Sequence, residues 1–286
     1  MTIKVGINGL GRIGRCVARA IFSEGERDIE LVAVNGPAPI ETHAHLLKYD
    51  SVHGRFKHDV TIDGDQLVIA GKPVKLFREK DPKQIPWGGM GVDIVLECTG
   101  KFNKRADAAQ HLATGAKRVL ISAPAEDADS TIVFGVNNAM LKKEQQVVSV
   151  GSCTTNALAT IVKVLHEAIG IESGFMTTVH SYTGDQNLVD NSHKDLRRAR
   201  SAAMAMIPTS TGAAKTIGLI IPELKGKLDG VSIRVPTPNV SLVDLTFNAK
   251  RDTTKAENCC DQSDYQKKNC PTQHNDFSLS VRTAYS

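Results

Sequence analysis

The residues with the clearest chemical potential lie in the segment Val150-Gly151-Ser152-Cys153-Thr154-Thr155-Asn156. Cys153 follows an apolar run typical of a strand and precedes residues 157–169, where apolar side chains recur at helical spacing. This pattern predicts a thiol at a strand-to-helix junction. Unpaired N–H groups at a helix N-terminus stabilise an anion, so a thiol there has a lowered pKa and becomes a nucleophile. A lone cysteine is otherwise more often a small buried apolar residue, and the rest of the chain must decide.

A second candidate site lies at the start of the chain. An apolar run over 3–7 is followed by Gly9, Gly11 and Gly14 at G-x-G-x-x-G spacing, and a helical pattern begins at Arg12. In this context the glycines permit a tight turn and a close approach of the backbone to a pyrophosphate, which rests on the helix N-terminus. The motif therefore predicts a dinucleotide-binding Rossmann unit rather than a plain turn.

The elements that follow this motif alternate between strands and helices. Apolar runs at 29–34, 74–77, 93–98 and 117–124 are separated by helical or hairpin segments. Such alternation is typical of a parallel sheet covered on both faces. We predict an α/β protein with an N-terminal Rossmann domain over 1–151.

The strand character changes after the cysteine helix. Segments 174–183, 231–235 and 240–247 alternate apolar and polar residues, which favours a mainly antiparallel sheet. We predict an α+β catalytic domain over 152–255 that is C-terminally incomplete. Residues 256–286 are polar without sustained period, and we expect an atypical, disordered tail.

The composition excludes several classes of protein. The 286 residues are 41% hydrophobic and 23% charged with a net charge of +4, as in an ordinary globular protein. No basic run interleaved with aromatics indicates a nucleic-acid partner, and no apolar stretch would span a membrane. The N-terminus shows no signal-peptide pattern, so we expect a cytoplasmic protein with thiols rather than disulfides. The cysteines of the tail do not fit a zinc spacing, so we expect no metal site.

Six motifs resemble phosphorylating glyceraldehyde-3-phosphate dehydrogenase, over roughly residues 1–255. They are Gly6 to Gly14, Leu46 to Gly54, Glu97-Cys98-Thr99-Gly100, Ser152 to Asn156, His180-Ser181-Tyr182-Thr183, and Arg234 to Ser241. The motifs are long and occur in the family's order. The resemblance implies oxidation and phosphorylation of D-glyceraldehyde 3-phosphate to 1,3-bisphosphoglycerate, with hydride transfer to NAD or NADP. The sister family of erythrose-4-phosphate dehydrogenases is a less favoured alternative.

The resemblance also implies roles for particular residues. Cys153 matches the nucleophile that forms a thiohemiacetal and then a thioester, and His180 matches the base that takes the hydroxyl proton. The residues matching the two phosphate sites are Ser152, Thr154, Thr211 and Gly212 for inorganic phosphate, and Thr183 and Arg234 for the substrate phosphate. Arg198, from the basic cluster, is expected to serve these phosphates too. The residues matching the cofactor site are Gly9, Gly11, Arg12, Ile13, Gly14, Asn35, Lys80, Thr99 and Ser122.

One departure from the family concerns the cofactor. NAD-specific members carry Asp where this chain has Gly36, and they often carry Leu-Pro where it has Asn191-Ser192. An aspartate would repel an adenosine 2′-phosphate, whereas glycine removes that charge and leaves room. Ser192 resembles the residue of NADP-using members. We therefore expect that NADP is accepted, alone or beside NAD, although the neighbouring backbone and Glu41 could still suffice for NAD.

A second departure concerns the C-terminus. Nothing after Lys255 resembles the family's Trp-Tyr-Asp-Asn-Glu segment, whose Asn holds the nicotinamide carboxamide, or its final strands and closing helix. A truncated, catalytically impaired dinucleotide-binding homologue is therefore the alternative to an active dehydrogenase. Residues 184–200 resemble the loop through which family members form a homotetramer.

Overall fold

The computed structural model describes residues 2–23, 28–125, 127–253 and 277–283. The chain divides into two compact units. The first comprises Met1–Ile132 and Met140–Gly151, and the second comprises Val133–Ala139 and Ser152–Ser286.

The first unit alternates strands with helices. Its helices are α1 (Arg12–Ser23), α2 (Ile40–Lys48), α3 (Arg105–Ala108) and α4 (Gln110–Ala113). Its strands are β1 (Ile3–Asn8), β2 (Ile29–Asn35), β3 (Tyr49–Asp50), β4 (Gly54–Arg55), β5 (Val60–Asp63), β6 (Gln66–Ile69), β7 (Lys72–Phe77), β8 (Ile94–Glu97), β9 (Arg118–Ile121), β10 (Ser130–Thr131) and β11 (Val147–Ser149). Short 3-10 turns lie at Pro82–Gln84 and Gly88–Met90.

Nine of these strands form one sheet in the order β10-β11-β9-β8-β1-β2-β7-β6-β5. The seven from β10 to β7 are parallel, and β6 and β5 add an antiparallel hairpin. The strand order reverses at β1, which pairs with β2 on one side and β8 on the other. In such sheets a ligand binds beyond the carboxyl ends of the strands at this reversal. The register brings Asn8 opposite both Asn35 and Glu97 at those ends.

Apolar residues bury both faces of this sheet. Ile7, Ala33, Val95 and Val119 of the central strands are fully buried. A strand that is covered on both faces is apolar at nearly every position. This explains why these strands appear in the sequence as continuous apolar runs and not as alternating apolar and polar residues.

The second unit packs helices on one mixed sheet. Its elements are α5 (Cys153–Ile169), β12 (Ile171–Ser181), β13 (Ile207–Ser210), α6 (Ala213–Ile220), β14 (Leu228–Val235), β15 (Ser241–Ala249) and β16 (Phe277–Thr283), with 3-10 turns at Asn138–Met140 and Pro222–Leu224. The strand order is β13-β14-β12-β15-β16. The pairs β13–β14 and β12–β15 are antiparallel, and β12–β14 and β15–β16 are parallel. The predicted two-part α/β fold is confirmed.

Helix α5 is held by an apolar stripe. Leu158, Val162, Leu165 and Ile169 recur at helical spacing, are at most 3% exposed, and belong to a core with residues of β12 and β15. Burying such side chains stabilises the fold by about 1.5–3 kcal/mol each. The helix start, where Cys153 lies, is thereby set relative to the sheet.

Helices α3 and α4 are separate because the hydrogen bonding around Ala109 tightens, with the Leu112 N–H donating to Ala109 O three residues back. In the tail, Phe277–Thr283 forms β16 beside β15. Its Phe-Ser-Leu-Ser-Val alternation is a strand pattern that the tail's overall polarity concealed. The rest of the tail, 256–276 and 284–286, lies outside the described residues.

Within the part of the chain that the structure describes, no helix combines the length and the apolar character needed to cross a membrane.

Candidate active site

Cys153 is the first residue of α5, as the sequence predicted. Ser152 caps the helix with extended backbone, and its Oγ accepts the Thr155 N–H at 3.0 Å. Such a cap typically contributes about 1 kcal/mol. Gly151 precedes it with a φ of 70°, a left-handed conformation that favours glycine. The turn leaves the Cys153 side chain exposed at the helix start.

His180 faces the thiol from the end of β12. Its Nε2 lies 3.2 Å from Cys153 Sγ, and its Nδ1 lies 2.8 Å from the carbonyl oxygen of Ser181. A carbonyl only accepts, so Nδ1–H donates to it, and Nε2 is then free to exchange a proton with the sulfur. The imidazole is 8% exposed, which holds its orientation. The pair has the geometry of an activated nucleophile and its base.

The environment lowers the pKa of the Cys153 thiol below its ordinary value. Partial removal from water raises this pKa, but the hydrogen bond and charge of His180, together with the backbone and hydroxyl of Thr154, lower it more strongly. Cys98 provides the contrast, since burial raises the pKa of its thiol to about 11. Because only a thiolate is a strong nucleophile, we expect Cys153 to be far more reactive than Cys98.

Arg234 supplies positive charge beside this pair. The β12–β14 register sets it opposite His180, and its Nη1 lies 3.1 Å from His180 Nδ1, 3.0 Å from Ser181 O and 3.4 Å from Thr183 Oγ1. Burial, and then the charge of Arg198, lower the pKa of Arg234. Its buried Nε has no hydrogen-bond partner among the described residues. An unpaired donor on a half-buried guanidinium is suited to an incoming phosphate.

Arg198 is fixed by a carboxylate that sequence reasoning missed. It donates to Asp185 through Nη1 and to the Ser210 carbonyl through Nη2 at 3.2 Å. Asp185 also lies 3.6 Å from His193 Nε2. The segment is polar throughout, so no sequence signal distinguished Asp185 from its neighbours.

The remaining predicted phosphate residues also lie in this second unit. Thr154 is buried beside Cys153, and Thr183 is exposed within reach of Arg234. Thr211 accepts the Ala213 N–H through its hydroxyl at 3.2 Å, and Gly212 caps α6, with nothing within 4 Å of its missing side chain. The space at Gly212 leaves the start of α6 open to an anion.

In the first unit, the three motif glycines meet three different demands. Gly9 has a φ of 101°, and a Cβ there would lie 2.8 Å from Thr99. A Cβ on Gly14 would lie 2.0 Å from the Gly9 oxygen, so only glycine lets α1 pack on the loop. Gly11 has nothing within 4 Å, which leaves room for a ligand phosphate against the backbone. The loop therefore fits a dinucleotide pyrophosphate.

The other predicted cofactor residues of the first unit differ in their surroundings. The Arg12 guanidinium pairs with Asp50 at 2.5 Å, and its backbone N–H is at the start of α1, where helix N–H groups have no partner within the helix. Ile13 is 49% exposed at the start of α1, and Lys80 is also exposed. Ser122 lies after β9, where its hydroxyl contacts the Cys98 thiol.

A buried polar network joins the carboxyl ends of β1, β2 and β8. Asn35 donates to Asn8 Oδ1 at 2.7 Å, and Asn8 donates to Glu97 Oε2 at 2.6 Å. The other Glu97 oxygen accepts the Thr99 N–H at 2.7 Å and the Thr99 hydroxyl. The predicted residues Asn35 and Thr99 are thereby connected through Glu97, which is 1% exposed.

His111 and Trp87 complete this network. Trp87 Nε1–H donates to His111 Nδ1 at 2.9 Å, so Nδ1 is the acceptor and the ring proton is on Nε2. That proton is directed at Glu97 Oε2, 3.0 Å away. Every group around Glu97 is thus a donor, which suits an ionised carboxylate. The sequence analysis did not single out His111 or Trp87, because neither belongs to a recognised motif and the two are far apart in the chain.

We expect Glu97→Gln to weaken both the fold and the cofactor site. The amide N–H₂ of the glutamine is a donor, and it would lie against groups that are themselves donors, so hydrogen bonds would be lost. This loss should lower the free energy of unfolding by about 1–3 kcal/mol. Thr99 would lose its anchor, so dinucleotide affinity should fall as well. Urea denaturation and dinucleotide titration measure the two effects. Glu79→Gln is the matched control, since Glu79 is exposed and contacts Asn35 through its backbone only; equal losses in both variants would contradict the network's role.

Comparisons with known proteins agree with this arrangement. Residues 3–105 match the family model "Glyceraldehyde 3-phosphate dehydrogenase, NAD binding domain", and residues 152–269 match the model of the family's C-terminal domain. The chain is 60% identical over 257 residues to a glyceraldehyde-3-phosphate dehydrogenase of Xanthobacter flavus, covering 90% of this chain and 77% of the relative. Similar relatives are those of Cereibacter sphaeroides, at 60% identity over the same shares, and Geobacillus stearothermophilus, at 57% over 90% of this chain and 76% of the relative.

Proposed function

This chain belongs to the glyceraldehyde 3-phosphate dehydrogenase family, and from that premise we propose that it oxidises and phosphorylates D-glyceraldehyde 3-phosphate to 1,3-bisphosphoglycerate. Residues 1–151 would bind the nicotinamide dinucleotide and residues 152–255 the substrate. The observation that carries the proposal is the contact between Cys153 Sγ and His180 Nε2 at 3.2 Å.

The proposed chemistry begins at the sulfur. The Cys153 thiolate attacks the aldehyde carbon, and the carbonyl oxygen takes a proton to give a thiohemiacetal. His180 Nε2 then accepts the hydroxyl proton as this intermediate is oxidised to a thioester. When bound, the nicotinamide ring accepts the hydride that leaves the substrate carbon. Inorganic phosphate finally attacks the thioester, which releases the acyl phosphate and restores the thiolate.

The anionic groups would be held by two sets of residues. Thr183, Arg234 and Arg198 would bind the phosphate of the substrate, which suits the unpaired Nε of Arg234. Ser152, Thr154, Thr211 and Gly212 would bind the attacking phosphate near the starts of α5 and α6. The Ser152 hydroxyl accepts the capping Thr155 N–H and lies 2.7 Å from Thr155 Oγ1, so its proton would have to turn from that hydroxyl to the phosphate.

The dinucleotide would lie across the carboxyl ends of the first sheet. Gly9, Gly11 and Gly14, with the backbone of Arg12 and Ile13, would hold the pyrophosphate. Asn35 and Lys80 would serve the adenosine half, and Thr99 and Ser122 the nicotinamide half. The fit rests on the free space at Gly11 and on the network that fixes Asn35 and Thr99.

We further propose that NADP is accepted, alone or beside NAD. Gly36 directly follows β2 and carries no carboxylate, so a 2′-phosphate at this position would not be repelled by a negative side chain. Ser192, an exposed hydroxyl, is the second residue that supports this proposal. A strong kinetic preference for NAD over NADP would contradict it.

The test of the function is phosphate-dependent reduction of NAD and NADP by the purified chain, with glyceraldehyde 3-phosphate and erythrose 4-phosphate compared. We expect turnover with the triose phosphate that requires inorganic phosphate. Preference for the tetrose would favour the erythrose-4-phosphate alternative. An absence of turnover despite an alkylatable Cys153 and a bound dinucleotide would favour the catalytically impaired alternative.

We also expect a homotetramer. Large apolar side chains are 70–80% exposed in and beside the predicted assembly loop, namely Leu188, Val189, Leu196, Met204 and Met206. Apolar surface of this kind marks an interface. Light scattering should give four times the 30.8 kDa chain mass, and Leu196→Asp should reduce it. A monomer at micromolar concentration would contradict this expectation.

The cytoplasmic location is a proposal too, and Cys16, Cys98 and Cys153, which are unpaired thiols, suit a reducing compartment.

A further inference from the structure

Gly36, which follows β2, lies directly against the ring of His43. A Cβ built on Gly36 would lie 2.6 Å from Nε2 and 2.7 Å from Cε1 of His43. His43 projects from α2 and is only 5% exposed. The edge of its imidazole therefore fills the space into which a side chain at position 36 would point.

In this type of fold, a side chain at position 36 would point toward the adenosine ribose of the dinucleotide. In a dinucleotide-binding unit, an acidic side chain at the end of the second strand accepts hydrogen bonds from the adenosine ribose hydroxyls. Gly36 supplies no such side chain. An imidazole nitrogen stands there in its place, and imidazole can carry a proton and donate it, which a carboxylate cannot.

The polar atoms around this position lack partners. Neither ring nitrogen of His43 makes a hydrogen bond of normal geometry among the described residues, its polar neighbour being the backbone of Gly36, and the buried Nε of Arg15 on α1 makes none either. A buried unpaired donor costs about 1–3 kcal/mol, so each such atom requires an explanation. An anion bound beside Gly36 would give a partner to both the imidazole and the guanidinium.

Positive charge surrounds His43. Gly36 N–H donates to the Phe77 carbonyl at 3.0 Å, which brings the exposed Arg78 next to the end of β2. Burial is the largest cause that lowers the pKa of His43; the charges of Arg15 and Arg78 add to it, and the backbone of Gly36 opposes it. Glu41 on α2 and Glu79 after β7 are the nearby carboxylates in sequence, and both are exposed. Burial and the two arginine charges therefore disfavour protonation of the His43 imidazole, and a bound anion would offset them.

We propose that His43 recognises the 2′-phosphate of NADP, with Arg15 and Arg78 as supporting charges, and so determines cofactor choice in this chain. The inference rests on the proposed NADP use and names the side chain responsible for it. A bound phosphate would accept the His43 N–H and offset the two arginine charges. In the same place an aspartate at position 36 would collide with His43.

The test uses binding of adenosine fragments, which needs no turnover. Calorimetric titration of the full chain with adenosine 2′,5′-bisphosphate and with 5′-AMP gives the affinity due to the 2′-phosphate. We expect His43→Asn to weaken binding of the bisphosphate roughly tenfold, as for the loss of a charge-assisted hydrogen bond. Binding of 5′-AMP should change less than about twofold, because that ligand lacks the 2′-phosphate that His43 would bind.

The matched control is His45→Asn. His45 lies on the same helix but is exposed and stacks on Tyr49, so its replacement should leave both affinities unchanged. His43→Gln provides a second variant if His43→Asn melts at a lower temperature. A defect in folding would weaken both ligands together, whereas the proposal requires a loss confined to the bisphosphate.

The pH dependence gives an independent readout. An anion favours the protonated imidazole, so wild-type affinity for the bisphosphate should rise as the pH falls from 8 toward 6.5, and this rise should vanish in His43→Asn. Unchanged selectivity and pH dependence in His43→Asn would overturn the role of His43 while leaving NADP use intact. A wild-type chain that binds both fragments equally would overturn NADP use as well, whereas the dehydrogenase function is judged separately by triose-phosphate turnover.

Discussion

Replacement of Cys153 by serine is expected to reduce phosphate-dependent turnover by more than about 10⁴-fold, as when an enzyme nucleophile is removed. A serine hydroxyl stays protonated at neutral pH, and an oxygen ester would transfer its acyl group to phosphate far more slowly than a thioester. Steady-state rates with glyceraldehyde 3-phosphate measure the loss. The variant should retain dinucleotide affinity, since the first unit holds the glycine loop.

Cys98→Ser is the matched control for this loss. Cys98 is a buried thiol whose pKa is raised to about 11, so it carries no thiolate at neutral pH. Its replacement should leave turnover within a fewfold of wild type. Iodoacetamide should label Cys153 first in the wild-type chain, and labelling of Cys98 at the same rate would contradict the assignment of the nucleophile.

Replacement of His180 by asparagine is expected to lower kcat by about 10²–10⁴-fold, the usual contribution of a general base. The second effect is on the thiol. His180 is the main cause that lowers the pKa of Cys153, so the pKa should rise in the variant while burial continues to raise it. The pH profile of alkylation should therefore shift upward, and the rate at pH 7 should fall because less thiolate is present.

His166→Asn is a suitable control for this variant. His166 lies on α5 as well, at the opposite end of the helix from Cys153, where its Nδ1 accepts the Ile171 N–H at 3.0 Å. It should affect stability but not the alkylation profile. If His180→Asn left that profile unchanged, the contact at 3.2 Å would not be what activates the sulfur.

Features encoded in contiguous residues could be predicted from the sequence. The start of α5 at Cys153 follows from a capping serine and the apolar stripe behind it, and both are local properties. The glycine loop follows from three glycines at fixed spacing between a strand and a helix, because each glycine meets a steric demand of the turn itself. The alternation of strands and helices likewise predicted the sheet of the first unit.

The partners of the chemical groups were decided by tertiary structure. His180 meets Arg234 because β12 and β14 pair in a parallel register across 54 residues of sequence. Glu97 meets Asn8 across 89 residues through the pairing of β8 with β1. Register depends on the packing of whole strands, and a shift of one residue would turn these side chains to the other face.

The contact between His43 and Gly36 shows the same difference between what the sequence predicts and what tertiary structure decides. The sequence by itself showed that the expected carboxylate is absent at position 36, and its motifs gave Cys153 and His180 as the candidate nucleophile and base. Only the tertiary structure brought His43 of α2 into the space beyond β2 that the missing side chain would fill. Contacts between elements depend on how apolar faces pack together, which local periodicity does not specify. The sequence therefore determined which groups this protein carries, and the tertiary structure decided which of them meet.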